Sequence, residues 1–190
     1  MSRKLSMWLL ALVLMPALLL AATSTRTVLT VTVSPSADIE IWYQTPGITA
    51  YNFGDDVGTN DTSITLASIT VKNASDGIRE DWSIRASDAH TATNLNDWTL
   101  SDAVSAGTKN YELRAVLNTA KPADAAFVND TDELENGNQA MDGAVFFGDE
   151  AGNDVNSGDT RGLWFRINTP MQVIDTTQHT IYVTLTAAPG

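Results

Sequence analysis

The chain has 190 residues, no cysteine, and 23 acidic residues against 11 basic ones, for a formal charge of −12. Such a balance repels nucleic acid and anionic lipid, and the lack of cysteine rules out disulfides, acylation at a lipobox and thiol nucleophiles. Hydrophobic residues reach 43%, too many for a disordered chain.

The chain opens on Met1-Ser2-Arg3-Lys4, runs almost wholly apolar from Met7 to Leu20 with Pro16 inside, and then offers the small residues Ala21-Ala22-Thr23-Ser24. A basic start, an apolar middle and a small-residue end make a secretory signal peptide over residues 1–24, with cuts after Ala21 or Ala22 as rivals to the one after Ser24. The alternative is an uncleaved anchor. It is disfavoured because the apolar run falls short of the roughly 20 residues that span a bilayer and contains a proline. The expected destination is secreted, extracellular or periplasmic, with no membrane contact after cleavage. Residues 25–190 suffice for one domain, since a chain of that size buries roughly 70% of its unfolded surface.

Period-two alternation then recurs and no long helical period does, which predicts an all-β fold. Thr27 to Val33 places Leu29, Val31 and Val33 on one face, and Asp38 to Tyr43 sends Ile39, Ile41 and Tyr43 inward with Trp42 outward. A turn follows at Thr45-Pro46-Gly47. From Ile64 to Val71 the apolar parity slips, which reads as a β-bulge at Ala67-Ser68 or a strand that changes faces. Lys72 to Gly77 is rich in turn residues and predicts a hairpin leading into Glu80 to Ser87, with Trp82, Ile84 and Ala86 on one face. Further strands are predicted at Asp97 to Leu100, at Tyr111 to Leu117 with Tyr111, Leu113, Ala115 and Leu117 inward, at Gly143 to Phe147, at Leu163 to Asn168, and at Gln178 to Ala187. The last has Ile181, Val183 and Leu185 inward and Thr180, Tyr182, Thr184 and Thr186 outward. About ten short strands with Gly, Asn, Asp and Pro turns fit an antiparallel β-sandwich. Residues 118–142 form a long polar connection in which Pro122 to Phe127 is suited to open a helical turn, and loops of this length pack as lids or carry function.

The stretch Gly148 to Asp159 puts Asp149, Glu150, Asn153, Asp154, Asn156 and Asp159 on a glycine-rich backbone. Calcium takes roughly six to eight oxygen ligands, and closely spaced carboxylates and amides supply them. The spacing departs from the EF-hand, and the second acidic stretch, Asn129 to Gly137, places Leu134 where a ligand belongs. Calcium binding and an ordinary solvated loop are both open here. Trp42 and Trp164 fall on the outward parity of their strands, with Arg166 beside Trp164. Such aromatics either stack on sugar or partner surfaces or are covered by a long loop or a neighbouring subunit. His90 and His179 sit in no metal-ligand spacing, and there is no Gly-x-Ser-x-Gly elbow, so no enzyme is expected. Asn60-Asp61-Thr62, Asn73-Ala74-Ser75 and Asn129-Asp130-Thr131 have the form of glycosylation acceptors, which predicts surface loops.

The run Val71 to Gly77 leading into Asp81-Trp82-Ser83-Ile84 resembles the strand-turn-strand of immunoglobulin-like modules in secreted bacterial surface proteins. The stretches Leu163 to Pro170 and Gln178 to Ala187 are similar to the C-termini of exported bacterial proteins. The resemblance implies an immunoglobulin-like sandwich and carries no functional residue across. The expected function is a non-enzymatic structural or adhesive subunit at the cell surface or in the extracellular matrix, with a protein or cell-surface glycan as partner. Self-association is a further expectation, in which a terminal strand adds to a neighbour's sheet edge. Pairing of Thr27 to Val33 within its own chain favours a self-contained module, whereas a loose strand favours assembly. The rival function is a calcium-dependent carbohydrate-binding module built on Trp42 or Trp164 and the Asp149 to Asp159 loop.

Overall fold

A computed structural model describes residues 27–34, 38–46, 48–93, 97–104, 109–172 and 177–190; the signal peptide read over residues 1–24 lies outside them. In chain order the strands are β1 (Thr27–Ser34), β2 (Ile39–Tyr43), β3 (Thr45–Pro46), β4 (Ala50–Val57), β5 (Thr62–Ile64), β6 (Ile69–Asn73), β7 (Glu80–His90), β8 (Thr99–Leu100), β9 (Asn110–Leu117), β10 (Gln139–Ala140), β11 (Thr160–Asn168) and β12 (His179–Pro189). Among the described residues there is no α-helix. One 3-10 turn, Asp124–Ala126, stands where Pro122 pointed to a helical turn.

The strands form two mixed sheets. One has five strands in the order β10-β7-β12-β1-β4; the other has seven, in the order β3-β2-β6-β11-β9-β8 with β5 also on β11. Alternation drives Leu29, Val31, Trp82, Ile84, Ile181, Val183 and Leu185 of the first sheet and Ile39, Ile41, Ile69, Val71, Leu113, Phe165 and Ile167 of the second into one continuous buried cluster. The inner faces therefore pack on each other as two sandwich-like layers.

Several expectations need correcting. Pairing is not purely antiparallel: β1 runs parallel to β12, from Leu29 beside His179 to Ser34 beside Thr184, and antiparallel to β4, while β8 runs parallel to β9. Alternation records which face a residue takes, not which neighbour its strand finds or in which direction. Strand β1 is thus paired on both edges within its own chain. The stretch Lys72 to Arg79 is not a hairpin but a crossing from one sheet to the other, since β6 and β7 belong to different sheets. Asn73 builds that crossing. It is fully buried, its Nδ2 donates to the carbonyls of Ile78 and Val155 at 2.9 Å each, and its Oδ1 accepts from the Ser75 N–H at 2.9 Å. An amide so committed is no glycosylation acceptor in the folded chain, in contrast to the exposed Asn60 and Asn129. The chain also turns one residue earlier than expected, at Gln44, whose φ is +55°.

The slip between Ile64 and Val71 divides two short strands that pair in succession with one partner: β5 with Arg166 to Asn168 and β6 with Thr160 to Leu163 of β11. A second irregularity lies in β7, where Ile181 faces Ala89 but Val183 faces Ala86. The extra residue is a bulge at Ser87-Asp88, and it lets Ala86 and Ala89 both point inward. Gly143 to Phe147 is not a strand. Phe146 adopts a φ of +57° and is fully buried, and residues 132–155 serve instead as an irregular seal along β7 and β9. The seal is held by backbone bonds between Ala115 and Asp132, Leu134 and Leu113, Ala86 and Glu135, Met141 and Trp82, and Glu80 and Val155.

Candidate functional site

On the outer face of the seven-stranded sheet outward parity divides: Glu40 of β2 is exposed, but the middle of β9 and its neighbour on β11 are shut off from solvent. Glu112, Arg114 and Val116 of β9 and Trp164 of β11 are all buried, because residues 118–142 lie across them. The Trp164 indole N–H donates to the Asn118 carbonyl at 2.8 Å, and Phe127 packs on Val116 and Trp164 as a second apolar cluster. Gly162 allows this approach, since a Cβ there would stand 2.5 Å from the Asn118 carbonyl oxygen. Trp164 has the outward parity its sequence predicts, yet only 6% of it is exposed, so its ring has no free face for a sugar. Trp42 stays half-buried on the outward side of β2, across the ladder from Thr70 and Pro46, and is not part of the Trp164 cluster.

Charge holds the cover down. Arg114 donates to the Phe127 carbonyl at 2.8 Å and lies 3.4 Å from Glu133, and Arg166 donates to Asp124 at 2.5 Å. Arg114 Nε and Arg166 Nη1 both converge on Glu112 Oε1 as ion pairs without hydrogen-bond alignment, while Glu112 Oε2 accepts from Asn168 at 2.8 Å. Arg166, which the sequence sets beside Trp164 on the outward side, is therefore a strut between β11 and the cover. Burial pushes the Asp132 carboxyl above the usual carboxylate range, and burial with the charge of Glu112 does the same to Glu133. Such a cluster fixes geometry more than it adds stability, because desolvating the charges costs about what their attraction returns.

The acidic stretch from Gly148 to Asp159 is divided among several separate partners. The Asp149 carboxylate accepts from the Thr119 N–H at 2.7 Å and the Thr119 hydroxyl at 2.5 Å, and those bonds hold its pKa below the usual value. Glu150 accepts from the Gly162 N–H at 3.0 Å, Asp154 lies 3.9 Å from Arg79, and Asp159 accepts from the Asn156 amide at 3.0 Å. Asn153 is exposed. These six side chains are not brought to one point, and among the described residues no group of three or more His, Cys, Asp or Glu is arranged to hold a metal ion.

The outer face of the five-stranded sheet is different. Its middle is β12, whose Thr180, Tyr182, Thr184 and Thr186 point outward beside Ser83, Arg85 and His90 of β7 and Thr30 and Thr32 of β1. Tyr182 is 49% exposed. Two open depressions flank it, one of about 500 Å³ lined by His90, Thr91, Ala92, Gln178 and Thr180, the other of about 350 Å³ lined by Arg85, Ala86, Ser87, Asn136 and Thr184. The β7 bulge shapes this face: Ser87 Oγ accepts from the Tyr182 N–H at 3.2 Å, Asp88 accepts from the Leu100 N–H at 2.9 Å, and the Tyr111 hydroxyl donates to the Ser87 carbonyl. His90 Nδ1 lies 2.9 Å from Asp97; burial opposes the Asp97 charge, but bonds from Thr91 and His90 outweigh it and hold its pKa low. No described serine hydroxyl bonds to the His90 ring. His179 is fully buried and stacks on Trp98 with ring centroids 4.1 Å apart. Tyr182 was legible as an outward residue from the alternation of its strand, but nothing in the sequence marked it as an aromatic left uncovered.

No protein-family model matches the chain, and no curated protein is similar enough to count as a relative.

Proposed function

We propose that this chain is an exported, non-enzymatic β-sandwich subunit, immunoglobulin-like in general build, that serves a structural or adhesive role at a cell surface or in an extracellular matrix. One observation carries the reading: the cover of residues 118–142 buries the outer polar side chains Glu112 and Arg114 of one sheet, while the other sheet keeps a broad hydroxyl-rich face with Tyr182 half-exposed at its centre. The charged side chains of greatest burial serve as struts, as the Arg114 contacts illustrate, and the signal-peptide pattern of residues 1–24 supplies the route out of the cell. Pairing of β1 on both of its edges supports a self-contained module over strand exchange with a neighbour.

Beads coated with the purified protein test this. Adhesion to cells or matrix of the producing organism, above that of beads coated with the unfolded chain, is the expected result. Equal adhesion of the two would remove the reading.

A further inference from the structure

We infer that the outer face of the five-stranded sheet is a glycan-binding site, with Tyr182 as the ring on which a sugar stacks. The inference deepens the adhesive reading above and rests on it for the biological role, while the site itself is argued from the face alone. Four depressions can be compared. One of about 300 Å³ is lined by Asp102, Glu133 and Glu135, and one of about 170 Å³ by Asp38, Asp76 and Glu80. The two that flank Tyr182 are the larger pair, and their described lining contains no carboxylate in a chain with 23 acidic residues. Their polar groups are instead the hydroxyls of Thr91, Thr180, Ser87 and Thr184 and the amides of Gln178 and Asn136, with His90 and Arg85 at either side.

That set matches the surface of a sugar. A pyranose offers hydroxyls that both donate and accept, which pair with side-chain hydroxyls and amides, and a C–H face that packs on an aromatic ring. Tyr182 is placed to receive that C–H face. It is half-exposed, its backbone is tied to Ser87 Oγ across the bulge, and its ring centroid lies 6.4 Å from that of His90. Two open hollows on either side of one ring suit an extended chain of sugar units laid across β12, not a single enclosed sugar. A protein partner fits the face less well, because an interface needs a desolvated core of apolar side chains and this surface is mostly threonine and serine around one tyrosine.

The test is electrophoresis of the purified protein through native gels containing xylan, mixed-linkage glucan, mannan or alginate. Retardation is expected in at least one gel, with affinity about tenfold weaker for Tyr182→Ala and within about twofold of wild type for Tyr182→Phe, since stacking and not the hydroxyl carries the contact. Phe147→Ala, at an exposed aromatic outside both hollows, should bind as wild type. Migration unaffected by every polysaccharide, or equal retardation of wild type and Tyr182→Ala, would overturn the site. The bead assay separates the two readings. Beads that adhere to cells with wild type and Tyr182→Ala alike sink the glycan site and leave the adhesive subunit standing. Retardation in gels with no bead adhesion does the reverse.

Discussion

The outer sides of β9 and β12, one in each sheet, belong to the same kind of strand and end in opposite states. Strands β9 and β12 each alternate inward apolar residues with mostly polar outward ones, charged on β9 and hydroxyl-bearing on β12. Glu112, Arg114 and Val116 of β9 are nevertheless buried, while Tyr182 of β12 is half-exposed. The difference comes from the connections. Residues 118–142 leave β9, fold back over its outer side, and bring Phe127, Asp124 and Glu133 to Trp164, Arg166 and Arg114. No described segment crosses β12 in that way. In a two-layered β protein an outward position is only a candidate for exposure, and the long connections decide which face is left to meet a partner.

The contrast can be broken by mutation, most strongly under the cover. Trp164→Ala should cost about 3–5 kcal/mol in urea unfolding, because it removes a buried indole and its bond to Asn118. A loss under about 1 kcal/mol would mean that the cover does not hold the ring, and the two faces would be alike. Arg114→Met should come next, at about 3 kcal/mol, since it strips the counter-charge from buried Glu112 and Glu133. A neutral result would show the buried charges to be dispensable.

Acid sharpens the same point. Asp132 and Glu133 are raised by burial, so the folded protein holds their protons to higher pH than the unfolded chain does. Their contribution is present below the ordinary carboxylate value and is lost as pH rises through the raised ones. Asp97 and Asp149, held low, contribute above the ordinary value and lose that contribution as pH falls through the lowered ones. Between about pH 4 and pH 7 the urea midpoint of wild type should therefore decline relative to that of Asp132→Asn. Parallel profiles for the two proteins would count against a strained carboxyl beneath the cover.

On the open face, Tyr182→Ala should change stability by no more than about 0.5 kcal/mol, which makes it a clean probe of binding. The smallest effect expected is that of calcium. Because Asp149, Glu150, Asp154 and Asp159 serve separate partners, the melting temperature in millimolar calcium should match that in chelator to within about 1 °C. A clear rise would restore the loop as a metal site.

Much of the layering was legible in the sequence. Leu29, Val31, Ile39, Ile41, Trp82, Ile84, Leu113, Ile181, Val183 and Leu185 lie in the core as their alternation requires. The parity slip before Ile69 proved to divide β5 from β6 along one partner. What escaped depends on contacts distant in sequence. Parity could place Trp164 and Arg166 outward but could not see a cover from Asn118 and Asp124, more than forty positions away. The turn residues of Lys72 to Gly77 announced a reversal, but that it joins two sheets depends on the distant partners β6 and β7 find, a choice local sequence does not carry. The loop from Gly148 to Asp159 had the composition of a cation site; Asp149, Glu150 and Asp159 instead accept hydrogen bonds from neighbouring loop and strand atoms and Asp154 faces Arg79, a choice that composition cannot reveal.

The parallel pairing of β1 with β12 has a mechanical consequence. Tension applied at Thr27 and Pro189 would drag the two strands along each other in opposite directions. The ladder from Leu29 and His179 to Ser34 and Thr184 would then be loaded in shear, with its bonds sharing the force instead of unzipping one after another. A module wired in this way resists being pulled apart between the flanks of its own sequence, which is the demand placed on any link in a stressed attachment.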